Sequence, residues 1–270
     1  MKLNHDFHIH TVHSFDADAN ATVNGYVEVA EKTGITKLGF AEHFWDEKIE
    51  GAFPFYRQMS FEHTSITKKE IEECKNSDIK LYFGCEVEYN PSLKAPAITE
   101  ETAQKFDYII VPNSHSHETM PKEYYDNKKR HLDFIMDAYN NIVNCSLNRY
   151  ITAIAHPFSL VRCPYPCDDL IDMVSDDEFK KMFFNTAEKE IAIEINASSV
   201  NESIMKSGCI DESSSLLRMF RLAKDAGCRF IFGSDAHYLS YFGDLNYVEL
   251  INRVAENLEI KEKDIVDIAR

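Results

Sequence analysis

Short apolar runs rich in Ile, Val, Phe and Tyr recur along the whole chain, at residues 3–9, 35–41, 79–87, 108–111, 151–155, 191–195 and 229–232. Each has the length of a strand, so seven strands are predicted. Between most of them the apolar positions switch to the helical period, at residues 23–32, 61–76, 132–147, 177–188 and 213–226. Strand alternating with helix is the pattern of a parallel sheet wound with helices, and a closed β/α barrel is its natural architecture. The punctuation agrees. Asp211, Glu212 and Ser213 supply acids and a cap to open the last of these helices, and Gly34 and Gly227 each follow a helical run as a stop. No internal repeat, low-complexity tract or Pro/Gly/Ser linker divides the chain, so residues 1–270 are expected to form one domain.

Composition narrows the function. A 270-residue chain that is 44% hydrophobic can bury a sizeable core. Its 29 basic against 45 acidic residues give a net charge of −16, which leaves no broad basic surface to track a long nucleic acid. No apolar stretch reaches membrane-spanning length, and the N-terminus runs straight into histidines without a signal-like apolar segment. Seven cysteines, at 74, 85, 145, 163, 167, 209 and 228, show no paired spacing, so free thiols and a cytoplasmic location are expected. Eleven histidines are the unusual feature, because many lie within two residues of another histidine or an acid.

Their positions carry the functional signal. The predicted strands end in His8 and His10, in Glu42 and His43, in Glu86 and Glu88, in Ser114, His115 and His117, in His156, in Glu194 and Asn196, and in Asp235 and His237. In β/α barrels the C-terminal strand ends form the catalytic face. Residues two apart on a strand share a side, so His8 with His10, Glu86 with Glu88 and Asp235 with His237 are each expected to point one way. Imidazoles and carboxylates converging in one cavity suit Zn²⁺, Mn²⁺ or Fe²⁺ alike. A single His-x-His is more often structural; six histidines and three carboxylates gathered at consecutive strand ends are not so explained.

Other histidines lack that support. His5, His13, His63 and His131 fall off the strand-end pattern and are read as core or surface residues, while His117 is read either as a substrate contact or as a support for a ligand. Cys163 and Cys167 have neither the spacing nor the second pair of a zinc site. The long aromatic connections 44–60 and 116–127 are candidates for a substrate rim, with Arg57 in the first and Tyr124 and Tyr125 in the second.

The ordered set Asp6-x-His8-x-His10-Thr11, Glu42-His43, Gly84-x-Glu86-x-Glu88, His115, Ala155-His156-Pro157 and Gly233-Ser234-Asp235-Ala236-His237 resembles the PHP family, the polymerase and histidinol phosphatase hydrolases, over essentially the whole chain. The resemblance implies a distorted seven-stranded barrel holding three divalent metals. One would lie among His8, His10, Glu86 and Asp235, with Glu86 bridging to a second that is also held by His115 and His156. A third would take Asp16, His43 and His237, with Asp18 a rival to Asp16. Arg162, six residues after His156, resembles an arginine of the phosphatase branch and is expected to bind phosphate.

The implied reaction is hydrolysis of a small phosphate monoester, with histidinol phosphate the first substrate to consider. A hydroxide bridging the metals at Glu86 would attack phosphorus, Arg162 and the third metal would hold the other oxygens, and Asp235, His237 or a metal-held water would protonate the leaving group. Glu88, Ser114 and Asn196 are expected to orient ligands. A phosphodiesterase of short nucleotides on the same metals is the alternative. A purely structural metal module is a third reading, weakened by the full ligand set.

Overall fold

The computed structural model describes residues 3–74, 78–160, 162–200 and 214–268. Seven parallel strands form one sheet: β1 (His5–Ile9), β2 (Lys37–Phe44), β3 (Lys80–Val87), β6 (Tyr108–Pro112), β7 (Ala153–Ala155), β8 (Ala192–Asn196) and β9 (Phe230–Gly233). Their order in the sheet is their order in the chain. Just past the ends of β1 and β9 the sheet curls onto itself: Asp235 N donates to His8 O at 2.8 Å, and His10 N donates to Ala236 O at 3.0 Å. The result is a nearly closed α/β barrel, and all seven predicted strands are present. A two-stranded hairpin, β4 (Tyr89–Asn90) with β5 (Ala95–Pro96), adds a flap after β3.

Strand composition explains the closure. Every residue of β1, β6, β7, β8 and β9 is buried, as expected for strands covered by side chains inside the barrel and by helices outside. The interior is narrow because it is filled: Tyr108 lies across it, and its hydroxyl donates to Phe7 O at 2.9 Å. A Cβ at Gly39 or Gly84 would collide with the Tyr108 ring, so two adjacent strands carry glycine where the ring passes. Phe7, Ile110, Ala153 and Ile231 complete this layer. Above it the barrel turns polar, beginning with the fully buried Glu194.

The helices follow the predicted phasing with shifted ends. Val23–Thr33 starts at the Thr22 cap and ends at Gly34, whose φ of 81° suits glycine. Lys128–Asn144 begins earlier than its apolar period, because the Asn127 side chain accepts from Arg130 N. Ser215–Asp225 is capped by Ser214; the expected opening at 211–213 lies outside the described residues. Three helices depart from expectation. The connection read as a long loop contains two single-turn helices, Ser116–Thr119 and Lys122–Tyr125, and a further helix, Leu245–Asn257, follows the last strand. Among the described residues no helix is long and apolar enough to cross a membrane.

Candidate metal centre

The strand ends deliver their side chains to one place. Glu86, from β3, is the hub: its carboxylate lies 2.7 Å from His43 Nδ1, 2.8 Å from His156 Nε2, 3.6 Å from His8 Nε2 and 3.8 Å from both His10 Nε2 and His115 Nε2. Asp235 lies 3.2 Å from His10 Nε2, 3.5 Å from His8 Nε2 and 3.8 Å from His237 Nδ1. Asp16, on the turn after β1, sits 3.4 Å from both His43 Nε2 and His237 Nε2. Asp18 instead accepts from Asn20 N, with no contact to these imidazoles among its hydrogen bonds and ion pairs. Among the described residues, possible ligand atoms lie within 4.8 Å of one another in three groups: His8 with Glu86 and His156, His8 with His10 and Asp235, and His10 with His43 and His237.

A second ring of groups orients these ligands. His8 Nδ1 lies 2.8 Å from Glu194 Oε1, and the other oxygen of Glu194 accepts from His156 N at 2.5 Å. His115 Nδ1 lies 2.9 Å from Glu88 Oε2, and His156 Nδ1 lies 2.6 Å from Ser114 Oγ. A carboxylate facing Nδ1 takes the proton-bearing side of the ring, which leaves the Nε2 lone pair pointing inward. Glu42 works on the backbone instead, accepting from Thr11 N at 3.1 Å, Thr11 Oγ at 2.5 Å and Thr67 Oγ at 2.9 Å, and so holds the turn that carries Asp16.

Glu88 and Ser114 thus orient ligands as expected, but Asn196 does not. Its Oδ1 accepts from Ser199 N at 3.2 Å, capping the helical turn that follows β8. Sequence reasoning gave Glu194 no role. The available signal was its place two residues before Asn196, on the same side of β8.

The electrostatics fit a cation site. Burial opposes charge at Glu86, yet His115, His8 and His43 hold its carboxyl well below the ordinary range. Asp16 and Asp235 are likewise held low, against burial, by the surrounding imidazoles. Burial, helped by His237 and His43, pushes His10 down to about 3, whereas His43, despite burial, is raised to about 10 by Glu86 and Asp16. Three carboxylates therefore stay ionised in a space where the imidazoles cannot all be protonated. The buried atoms His8 Nε2, His10 Nε2, His237 Nε2 and Glu86 Oε2 face one another without a well-formed hydrogen bond. Orphaned polar atoms at this depth are costly unless something binds them, and nitrogen and carboxylate donors match borderline divalent ions.

The centre opens into a cleft with two lobes. The larger, about 500 Å³, is lined by His156 and Asp235, by Ser159, Leu160 and residues 162–167, and by Asn196, Ser198 and Ser199. The smaller, about 330 Å³, lies over Asp16, His43 and His237, with Phe55, Tyr56, His115 and His117 as walls. Arg162 and Asp235 line both. His117 therefore borders the cleft, and burial followed by His115 pushes its pKa down to about 4. Arg57 is not brought to it: exposed on a single 3₁₀ turn, it donates from Nε to Ala52 O, while its neighbours Phe55 and Tyr56 face inward. His5, His13, His63 and His131 lie outside the metal centre; His5 and His131 are buried, and His13 pairs with Glu70 at 2.7 Å.

Comparison with known proteins gives a consistent picture. The fold is similar to the crystal structure of histidinol phosphate phosphatase (HISK) from Lactococcus lactis subsp. lactis Il1403, complexed with zinc, L-histidinol and phosphate; the TM-score is 0.63 at 18% identity, covering 96% of this chain and 94% of that chain. A weaker likeness, TM-score 0.44 at 13% identity over 94% of this chain and 89% of that chain, is to an archaeal ribonuclease P with mature tRNA, and no argument rests on it. No curated protein matches the chain. The PHP domain model matches residues 6–213, well over half of the chain, and the protein belongs to the PHP domain family.

Proposed function

We propose that this metal-dependent hydrolase is a phosphomonoesterase acting on a small phosphorylated metabolite, with histidinol phosphate the first substrate to test. The observation that carries the reading is the convergence of nine imidazole and carboxylate side chains able to bind metal, with Glu86 at their hub, on the floor of a cleft that an arginine overhangs. A phosphate monoester is a dianion and resists attack until its charge is neutralised. His8, His10, Asp16, His43, Glu86, His115, His156, Asp235 and His237 would hold up to three divalent ions. Bound there, Zn²⁺, Mn²⁺ or Fe²⁺ supplies Lewis acidity, lowering the pKa of water from roughly 15.7 to about 7 and neutralising phosphoryl oxygens.

The chain's own groups do the rest. Three ligand carboxylates against three divalent ions leave the site at about +3 by formal sum, enough to attract a dianion into a protein of net charge −16. Arg162 presents a guanidinium at the junction of the lobes and grips the phosphoryl oxygens. Glu194 and Glu88 keep the protons of His8 and His115 on Nδ1. Asp235 borders both lobes with His237 beside it; being ionised, it would first take the proton that the attacking water gives up and then hand it to the departing alkoxide.

The test is phosphate release from a panel of monoesters that includes histidinol phosphate, with bis(p-nitrophenyl) phosphate as the diester, using protein loaded separately with Mn²⁺, Zn²⁺ and Fe²⁺. Monoester turnover exceeding diester turnover is expected. His8→Ala and Glu86→Ala should each lose more than 100-fold in rate with far-UV dichroism unchanged; near-native rates in either would sink the assignment.

A further inference from the structure

Asp16 stands apart from the other eight candidate ligands. It follows the end of β1 by seven residues, on a turn, and its side chain is 45% exposed, more than that of any of the others. An ion held by a loose turn must order that turn when it binds, which subtracts from its affinity. Here the turn is already ordered, and polar contacts do the ordering.

From inside the turn, the buried Ser14 donates from Oγ to Asp16 Oδ1 at 2.6 Å, and Oδ2 is the oxygen that faces His43 and His237. From outside, the helix Phe61–Glu73 holds the turn at several points. His63 Nε2 donates to His13 O at 2.6 Å, and His13 Nε2 donates to Glu70 Oε1 at 2.7 Å. The Phe15 ring stacks on His63 with centroids 5.1 Å apart, and Thr67 shares the Glu42 carboxylate with Thr11. Residues 63, 67 and 70 are spaced i, i+4 and i+7, on one stripe of the helix. A helix that only covered the barrel would bury apolar side chains, whereas the buried residues of this one are Thr64 and Thr67.

We propose that this helix is a clamp that positions Asp16 and so sets the affinity of one ion, the one shared by Asp16, His43 and His237, separately from the other two. Ser14, His63 and Glu70 are its positioning residues: Ser14 acts on the carboxylate directly, His63 through the His13 carbonyl and Glu70 through the His13 ring. The inference rests on the three-ion reading of the centre and not on the choice of substrate. His8, Glu86 and His156 come from the sheet or the residue after it, so ions held there are set by the barrel and not by the clamp.

The experiment titrates metal-stripped protein with Zn²⁺ against a chromophoric chelator, in wild type, Asp16→Asn, Ser14→Ala, His63→Ala and His63→Gln. Wild type is expected to bind three equivalents, and Asp16→Asn identifies the one that depends on the turn. Ser14→Ala and His63→Ala should weaken that equivalent by about 10–100-fold and leave the other two unchanged. Added to Asp16→Asn, His63→Ala should change nothing further, and His63→Gln, whose Nε2 can still donate to His13 O, should bind as wild type does. Ser14→Ala keeps the helix contacts and decides the matter if His63→Ala fails to fold. Isotherms of Ser14→Ala and His63→Ala identical with wild type, or a loss spread over all three equivalents as a general loosening of the fold would give, overturn the proposal. Fewer than three equivalents in wild type would be a different failure, that of the three-ion reading, and would remove the clamp's function with it.

Discussion

His5 should give the protein a measurable acid sensitivity that is separate from its metals. The ring sits at the start of β1, 2% exposed, stacked on Phe7 with centroids 4.4 Å apart, and Nε2 accepts from Phe232 N at 3.0 Å. Protonation would remove that lone pair and place a charge in the barrel wall. Burial, followed by the positive Lys37, lowers the pKa from 6.5 to about 3. Between those values the folded chain binds fewer protons than the unfolded one, so stability rises with pH across the window. The His5 contribution is complete above pH 6.5 and is lost progressively as the pH falls toward 3. At about 1.36 kcal/mol per unit, pH 5 costs about 2 kcal/mol and the full window about 5 kcal/mol. Gln at this position can offer Oε1 to Phe232 N and cannot be protonated. Urea unfolding of wild type and His5→Gln at pH 7.5 and pH 5, followed by the fluorescence of the single tryptophan, buried Trp45, reads the difference. Wild type should lose about 2 kcal/mol more than the variant. Packing changes cancel in this comparison, and equal losses would refute the reasoning.

Glu194→Gln removes the carboxylate from His8 Nδ1 and His156 N and should weaken zinc binding about 10–100-fold, measured by competition with a chromophoric chelator; unchanged affinity would mean that Glu194 serves the barrel alone. Chelation should abolish phosphate release and lower the unfolding midpoint, and zinc restored to a hundred times its Kd should return about 2.7 kcal/mol. Gly84→Ala drives a methyl into the Tyr108 ring and should cost about 1–3 kcal/mol in urea unfolding, whereas a neutral outcome would show that the ring can swing aside.

The barrel was legible because its strands are buried on both faces and therefore read as unbroken apolar runs, and because each run stops at a residue able to bind a metal. The nine candidate ligands needed only strand ends and the alternation of side chains, together with the family resemblance for Asp16, which lies on a turn. The orienting groups were harder. Glu88 shares a strand face with Glu86 and was readable, but the bond from Glu194 to His8 joins β8 to β1 across the barrel, and nothing along the chain reports that distance. Asn196 was misread because its role depends on a helical turn beginning at the next residue, a boundary that apolar period does not mark. Arg57 was placed by its company: rings and an arginine share one loop, yet a single 3₁₀ turn sends Tyr56 inward and Arg57 to solvent. The helices in 116–127 are one turn each, too short for any period.

Backbone strain gives independent reason to regard this face as built for function. His156, Phe158, Arg162 and Asp235 all have positive φ, at 26°, 62°, 54° and 58°, although none is glycine. Each such residue costs on the order of 1–3 kcal/mol and persists only where its surroundings over-determine it. They do so here. His156 N is tied to Glu194, Phe158 N to Asn113 Oδ1 at 3.3 Å, Asp235 N to His8 O, and the Arg162 carbonyl accepts from the Tyr125 hydroxyl. β7 and β9 have already ended when these turns begin, and the turn at Asp235 also closes the barrel through its bond to His8 O. Their common effect is to swing His156 and Asp235 back over the strand ends and to set Arg162 at the junction of the two lobes, so three of the seven positive-φ non-glycine residues belong to the proposed site, while Lys94, Glu190 and Glu259 lie elsewhere. Relaxing one of them, by Arg162→Gly for instance, should stabilise the chain or leave its stability unchanged while phosphate release falls.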